Sequence, residues 1–372
     1  MNKRIFQKGS YLILTFVVAA LLVGWGLLSS IPSEIKIFAN ETKILNLPLK
    51  DVTISVIPEK LLIPGGHSVG VRMDVKGVLV VGLEEIETPT GAIINPGLEA
   101  GLQIGDSILE IDGTKVDSAK EVRDEINKLK KDVRLKVKRK DDIINVKLTP
   151  VLSVDDNLYK IGVWVKDKTA GIGTLTFYNP TDNSFGALGH GITDPETGTI
   201  LSVAKGELLN SKVESVKQGK AGVPGEIKGI FYEADEPLGK LTINTEYGIF
   251  GTTYQNIENP LYQKPMSIGY QNQVKKGTAY ILTTLEGNTI EKYSVSIEKI
   301  NRQTKAGTKS MVIKVTDERL LEKSGGIIQG MSGSPIIQDD KIIGAVTHVF
   351  VNDPQKGYGI FIEWMLQNPN VE

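Results

Sequence analysis

From residue 160 to the C-terminus the chain shows almost no helical periodicity. Short apolar runs recur instead, each closed by turn residues: TAGIGTLTFY, FGALGHGI, KLTINTEYGIFGTTY, GTAYILTTLEG, KYSVSIEKI, KSMVIKVTD, SPIIQ and KIIGAVTHVFV. Only WMLQNP (364–369) reads as a short terminal helix. Many short strands at such spacing predict a β-barrel or β-sandwich over about 210 residues. The 39 glycines fit a mainly β chain, and an apolar fraction of 40% is enough for real cores. A length of 372 residues predicts two or more domains.

Residues 56–150 read differently. SVGVRMDV (68–75) and GVLVVGLEE (77–85) look like two strands joined at a turn. NPGLEAGLQIGDSILEIDG (95–113) holds a Pro-Gly turn, a short helix near Leu98–Ala100, and a strand opened by Gly105-Asp106. Ser118 and Glu121 form an S-x-x-E capping box, after which Ala119, Val122, Ile126 and Leu129 share one helical face. Two alternating strands around Asp141-Asp142 close the segment. This order of elements resembles a PDZ domain, and the 95–113 stretch is similar to the loop and strand of protease-associated bacterial PDZ domains. The resemblance implies that Ser68, Val69, Gly70 and Val71 form the carboxylate-binding loop. It also makes Val71–Asp74 the edge to which an extended peptide adds, facing helix Ser118–Leu129.

The N-terminus addresses location. Lys3, Arg4 and Lys8 precede an uncharged run from Tyr11 to Leu28, and the first acid after it is Glu34. That run is long enough to span a bilayer, and the basic flank predicts an N-in orientation with everything after Pro32 outside the cytoplasm. A cleaved signal peptide is the alternative, with Ser29, Ser30 and Ser33 as small residues near a cleavage point. Residues 1–31 are expected to be the membrane segment, 32–55 a tether, 56–150 the PDZ-like domain and 160–372 the remaining β domain. The formal net charge of −1 gives no global bias toward nucleic acid. Without any cysteine, a thiol nucleophile, a disulfide and a Cys-ligated metal are excluded.

GMSGSPIIQ (330–338) raises the question of chemistry. A serine hydroxyl is a weak nucleophile near neutral pH. It needs a base, a group that orients the base, and donors for the developing oxyanion. The chain has three histidines. His67 sits beside two glycines in the PDZ-like segment, and His348 lies in an apolar strand after the serine. His190, in FGALGHGITD, ends a strand between two glycines and is the candidate base. G-M-S-G-S-P followed by a strand, a turn at Asp339-Asp340 and I-I-G-A-V-T-H resembles the nucleophile loop of chymotrypsin-like double-barrel serine peptidases. Carried over, Ser332 rather than Ser334 is the nucleophile, the amides of Gly330 and Ser332 form the oxyanion hole, and Thr347–Val349 align substrate, with His348 bordering the specificity pocket. Met331 stands where digestive relatives carry an acid, so activation by a freed N-terminus is not expected. Asp317, Asp235 and, less attractively, Asp194 are the candidates for the orienting acid.

Taken together, these segments resemble the stage IV sporulation protein B family, membrane-associated PDZ serine peptidases of endospore-forming bacteria. The resemblance places the acid at Asp317, whereas generic double-barrel topology favours Asp235. It implies a cofactor-free enzyme acting on proteins in the space between the two forespore membranes. There it would cleave itself near its N-terminus and then cut a membrane-bound regulatory complex, releasing an intramembrane protease that activates the late mother-cell sigma factor. The competing reading is a non-catalytic PDZ peptide-binding protein with a degenerate peptidase barrel.

Overall fold

The computed structural model describes residues 34–38, 53–57, 59–140, 142–231 and 236–367. The chain forms two compact units, Met1–Lys60 and Leu61–Glu372. In the first, β1 (Glu34–Phe38) and β2 (Thr53–Ile57) pair in parallel. The expected membrane segment, Tyr11–Leu28, lies outside the described residues. Among those described, no helix is long and apolar enough to cross a membrane.

The second unit starts with β3 (Leu61–Pro64) and β4 (Ser68–Leu83), a strand of 16 residues that serves two sheets. Its second half pairs with β5 (Ser107–Ile111), which continues into β6 (Val133–Arg139) and β7 (Asp142–Leu148). Two helices pack on this sheet. In α1 (Pro96–Glu99) the Asn95 side chain caps the first turn by accepting from the Leu98 amide. In α2 (Ala119–Leu129) Ser118 accepts from the Glu121 amide at 3.1 Å, and the Glu121 carboxylate returns to the Asp117 amide. Val122 and Ile126 of α2 are buried against Ile108, Leu135 and Val137, as the spacing of the apolar residues requires. The PDZ-like arrangement is therefore present.

The next strand is β8 (Val163–Tyr178), also 16 residues long and antiparallel to β4 along both of its halves. Val163–Lys166 pair with Leu83–Leu79 in the PDZ sheet. After a register shift, Lys168–Thr174 pair with Asp74–Ser68 in a different sheet. Gly77, with φ of +75°, lies where β4 passes from one sheet to the other. A side chain there would meet the Ile108 carbonyl at 2.7 Å.

That different sheet closes on itself. β9 (Ser184–Ala187), β10 (Val203–Asn210), a hairpin of β11 (Lys212–Lys217) and β12 (Glu226–Ile230), then β13 (Gly239–Thr245) and β14 (Gly248–Thr253) follow. The circuit β4–β8–β9–β14–β13–β10 returns to β4, giving a six-stranded barrel. Val69, Val71 and Met73 point into it at period two, against Leu175, Phe185 and Leu241. The second barrel is β15 (Gly277–Thr284), β16 (Ile290–Ile300), β17 (Met311–Val315), β18 (Pro335–Gln338), β19 (Lys341–Phe350) and β20 (Asp353–Phe361). It closes in the order β15–β16–β17–β20–β19–β18. A short α3 (Glu318–Ser324) precedes its fourth strand, and α4 (Ile362–Leu366) ends the described chain. The architecture is mainly β, two six-stranded barrels with a PDZ domain, as expected.

The PDZ domain sits within the first barrel, between its first strand and its second. Ser68–Val71, expected as the carboxylate-binding loop, are barrel residues partnered on both sides: Gly171 and Gly173 of β8 face one edge, Leu208 and Asn210 of β10 the other. Neither they nor Val71–Asp74 offer an edge to a peptide. The alternation in SVGVRMDV suits a barrel strand as well as a PDZ strand, and alternation does not name a partner. The PDZ strand opposite Val78–Leu83 is instead the start of β8, about 80 residues later in sequence.

Candidate active site

Two glycines shape the serine loop. Gly330 has φ of +95° and Gly333 +96°, values that side-chain-bearing residues rarely adopt. A methyl on Gly333 would lie 2.0 Å from the Thr174 carbonyl oxygen, so the loop touches the first barrel backbone to backbone. Threonines of β8 complete the seam. The Thr174 amide donates to the Ser332 carbonyl at 3.0 Å. The Thr174 hydroxyl donates to the Gly330 carbonyl at 2.7 Å, and the Thr176 hydroxyl to the Gly333 carbonyl at 2.8 Å. Met331 is fully buried in the second barrel, which pins the loop from the other side.

Of the two serines, Ser334 is fully buried, and its hydroxyl has no partner among the described residues. Ser332 is partly open, and its Oγ donates to the Thr347 carbonyl at 2.8 Å. His190 follows β9 after two left-handed residues, Leu188 and Gly189 (φ of +68° and +69°), which turn the chain toward the second barrel. Its Nδ1 lies 2.9 Å from the Gly191 carbonyl, a contact that makes Nδ1 the protonated nitrogen and leaves a lone pair on Nε2. Burial holds its pKa below the ordinary 6.5. The His348 ring sits 5.0 Å from the His190 ring, and its pKa is pushed down to about 4 by burial and by the charges of His190 and Lys309.

Ser332, His190 and His348 line one cavity of about 840 Å³. The amides of Gly330 and Ser332 have no acceptor among the described residues. The Gln329 carbonyl accepts from the Ile227 amide at 2.8 Å, which turns the Gly330 N–H the opposite way across the peptide plane. Both donors expected for an oxyanion are thus free to act.

The structure does not bring Asp317 to this cavity. Asp317 is the N-cap of α3: it accepts from the Arg319 amide and the Ser294 amide, each at 3.1 Å, and pairs with the Arg319 guanidinium at 3.0 Å. Arg319 holds its carboxyl below the usual carboxylate range. The sequence carried this signal, since an aspartate directly before ERLLEKS and then glycine is the pattern of a capped helix. Asp235 lies outside the described residues. Asp194 is buried and accepts from the Thr197 amide at 2.9 Å and from Lys166 at 3.1 Å. His67 faces the Glu258 carbonyl at 3.0 Å, away from the site. The threonine seam of β8 went unread, because a threonine in a β run carries no mark of its partner.

Against known families, residues 157–366, more than half of the chain, match SpoIVB peptidase S55, and residues 70–149 match the PDZ domain. The chain belongs to the SpoIVB peptidase S55 family. This S55 peptidase is a serine endopeptidase that carries a PDZ domain. Several solved structures are similar to parts of it. The Rv3671c protease of M. tuberculosis, active form, is 14% identical over 52% of this chain and 70% of its own, with a TM-score of 0.31. The HtrA-type protease AlgW with decapeptide is 11% identical over 57% and 56%, with a TM-score of 0.29. The PDZ domain of the SdrC-like protein from Listeria monocytogenes is 22% identical over 24% of this chain and 87% of its own, with a TM-score of 0.20. No curated protein matches the chain.

Proposed function

We propose that Ser332 is the nucleophile and His190 the general base of this S55 peptidase. One observation carries the assignment: the two side chains come from different barrels and line the same cavity, with two unengaged amides at the serine. Ser332 Oγ leaves the Thr347 carbonyl, turns to His190 Nε2, gives up its proton and attacks the scissile carbonyl carbon. The Gly330 and Ser332 amides receive the oxyanion. His190 returns the proton to the leaving amine, and water then hydrolyses the acyl-enzyme by the same route.

The substrate is an extended polypeptide. At Thr347–Val349 the edge of β19 on the β18 side has no strand partner among the described residues, because β18 pairing ends at Ala345. A backbone can add there, with Ile327, Ile328, Val349 and Val351 offering the neighbouring side chain an apolar wall. A second peptide edge belongs to the PDZ domain. Val163–Lys166 of β8 pair only with β4 among the described strands, and α2 runs alongside, joined to Tyr159 through Asn127 and to Asp167 through the Ala119 amide. This edge, in place of Ser68–Val71, is where a protein partner adds a strand.

The family and the Tyr11–Leu28 run support the wider role. It is a membrane-anchored peptidase of the forespore intermembrane space that processes itself and cuts a membrane-bound regulatory complex, so that the late mother-cell sigma factor is activated. The test compares residues 33–372 with their Ser332→Ala form. The native protein should cleave itself and take a serine-directed probe, and the variant should do neither. Equal behaviour of the two would sink the assignment and favour a non-catalytic PDZ binder. In an endospore-forming host, a Ser332→Ala allele that still activates the late sigma factor would remove the signalling role alone.

A further inference from the structure

An extended substrate laid on Thr347–Val349, with its scissile carbonyl at Ser332, sends the side chain of its acyl-side residue into a slot beside the serine loop. We propose that Ile327 and Val349 close this slot to all but small aliphatic side chains, so that the enzyme cuts after alanine or valine. The inference rests on Ser332 as nucleophile and on the β19 edge as substrate platform, both argued above.

The floor of the slot is Gly357 of β20, which pairs with Val349 of β19. Residues directly opposite in an antiparallel pair share a sheet face, so Val349 stands on the face that Gly357 leaves bare. Ile327 covers that face from the serine loop. A methyl on Gly357 would lie 2.7 Å from Ile327 Cδ1 and 2.7 Å from the His348 carbonyl oxygen. The tip of Ile327 therefore rests on the Gly357 backbone and fills the depth that a long side chain would need.

Ile327 is held in that place. Its amide donates to the Pro354 carbonyl at 2.7 Å, and a methyl on Gly326 would lie 2.1 Å from the same oxygen. The loop thus meets β20 backbone to backbone and cannot carry Ile327 aside without losing that seat. Ile328 turns elsewhere: a methyl on Gly225, just before β12, would lie 2.5 Å from its Cγ2. His348 leaves β19 from the opposite face, with its ring 5.0 Å from that of His190.

Charge is excluded as well as bulk. Ile327, Val349 and Gly357 bring no ionisable group, and the one carboxylate lining the cavity among the described residues, Glu246, belongs to the first barrel. An acyl-side lysine or glutamate would enter the slot without a partner and lose its hydration. A phenylalanine ring would have to displace Ile327 Cδ1. Alanine and valine fit above it and still bury their methyl groups.

The experiment uses the full-length protein and internally quenched peptides, mixed at the flanking positions, with alanine, valine, phenylalanine, lysine or glutamate at one fixed position. Mass spectrometry locates the cut, and thermal unfolding checks every variant. By kcat/KM, the native enzyme should cut after alanine or valine at least about 10-fold better than after the other three, the scale of a methylene or two in an apolar pocket. Ile327→Ala should raise the phenylalanine-to-valine ratio by about 10-fold or more. Ile327→Val, which removes only the methyl seated on Gly357, and Val349→Ala should move the ratio the same way by less. Native cleavage after phenylalanine, lysine or glutamate that matches cleavage after valine overturns the slot, as does a ratio unmoved in all three variants. With Ser332→Ala inactive, either result leaves the nucleophile standing. Cleavage by Ser332→Ala at the native rate overturns the nucleophile and the slot together.

Discussion

Three histidines in this chain are harder to protonate when folded than when unfolded. Burial lowers the pKa of His67 and of His190, and burial together with repulsion from protonated His190 and from Lys309 takes His348 to about 4. The unfolded chain takes up these protons near the ordinary 6.5, while native His348 refuses its own until about 4. Protonation therefore favours the unfolded state, and stability falls as pH drops through that window and is regained above it. His348→Gln removes one of the three contributions. Its urea midpoint should fall less between pH 7 and pH 5 than that of the native protein, and an equal fall would exclude His348 as a source. His190 and Ser332 were legible at this scale because the glycines beside them mark sharp turns that expose a side chain. Gly333 adjoins Ser334 as well as Ser332, so that mark does not choose between the serines; the resemblance favours Ser332, and the full burial of Ser334 agrees.

At the scale of elements, Asp317 and α3 show where reading by motif and reading by contacts part. Resemblance to the sporulation peptidases made Asp317 the favoured acid, but its oxygens are held by α3 and by the Ser294 amide. Asparagine caps helices as well as aspartate does, so Asp317→Asn keeps the cap and removes the ion pair. The Arg319 side chain is 61% exposed, and such a pair is worth about 1 kcal/mol or less. The variant should unfold within about 1 kcal/mol of the native protein and keep kcat within about threefold. A collapse of kcat with folding intact would return Asp317 to the chemistry. The helix α2 was readable from its cap and its apolar face, since both are local. The destination of β4 was not, because Val69, Val71 and Met73 alternate identically whether the partner is a PDZ strand or a barrel strand.

For the whole molecule, the insertion of the PDZ domain between β4 and β8 has direct consequences. β8 carries the proposed peptide edge at Val163–Lys166 and, a few residues on, the Thr174 and Thr176 hydroxyls that hold the serine loop. A fragment of residues 160–372 lacks β4, so the first barrel loses a strand, opens two edges and uncovers the partners of Val69 and Met73. It should be insoluble or lack fixed tertiary structure, seen in near-UV circular dichroism. Joining Val75 to Asp167 through Asn-Gly removes the PDZ sheet while keeping Asp74 opposite Lys168. That chain should fold and still take a serine-directed probe. A folded, active 160–372 fragment would contradict the strand order described above.

Sequence alone established a mainly β chain, a PDZ-like block, and a serine and a histidine in turn-rich loops fit for nucleophilic catalysis. Each of these is written locally, in period-two alternation, a helix cap, or glycines at positions that demand left-handed backbone. Tertiary structure decided which strand completes the PDZ sheet, which barrel owns Ser68–Val71, and that Asp317 caps a helix instead of lining the cavity of His190. Those are questions of partnership between segments tens to hundreds of residues apart. A strand pattern or a lone carboxylate satisfies many partners equally until packing selects one.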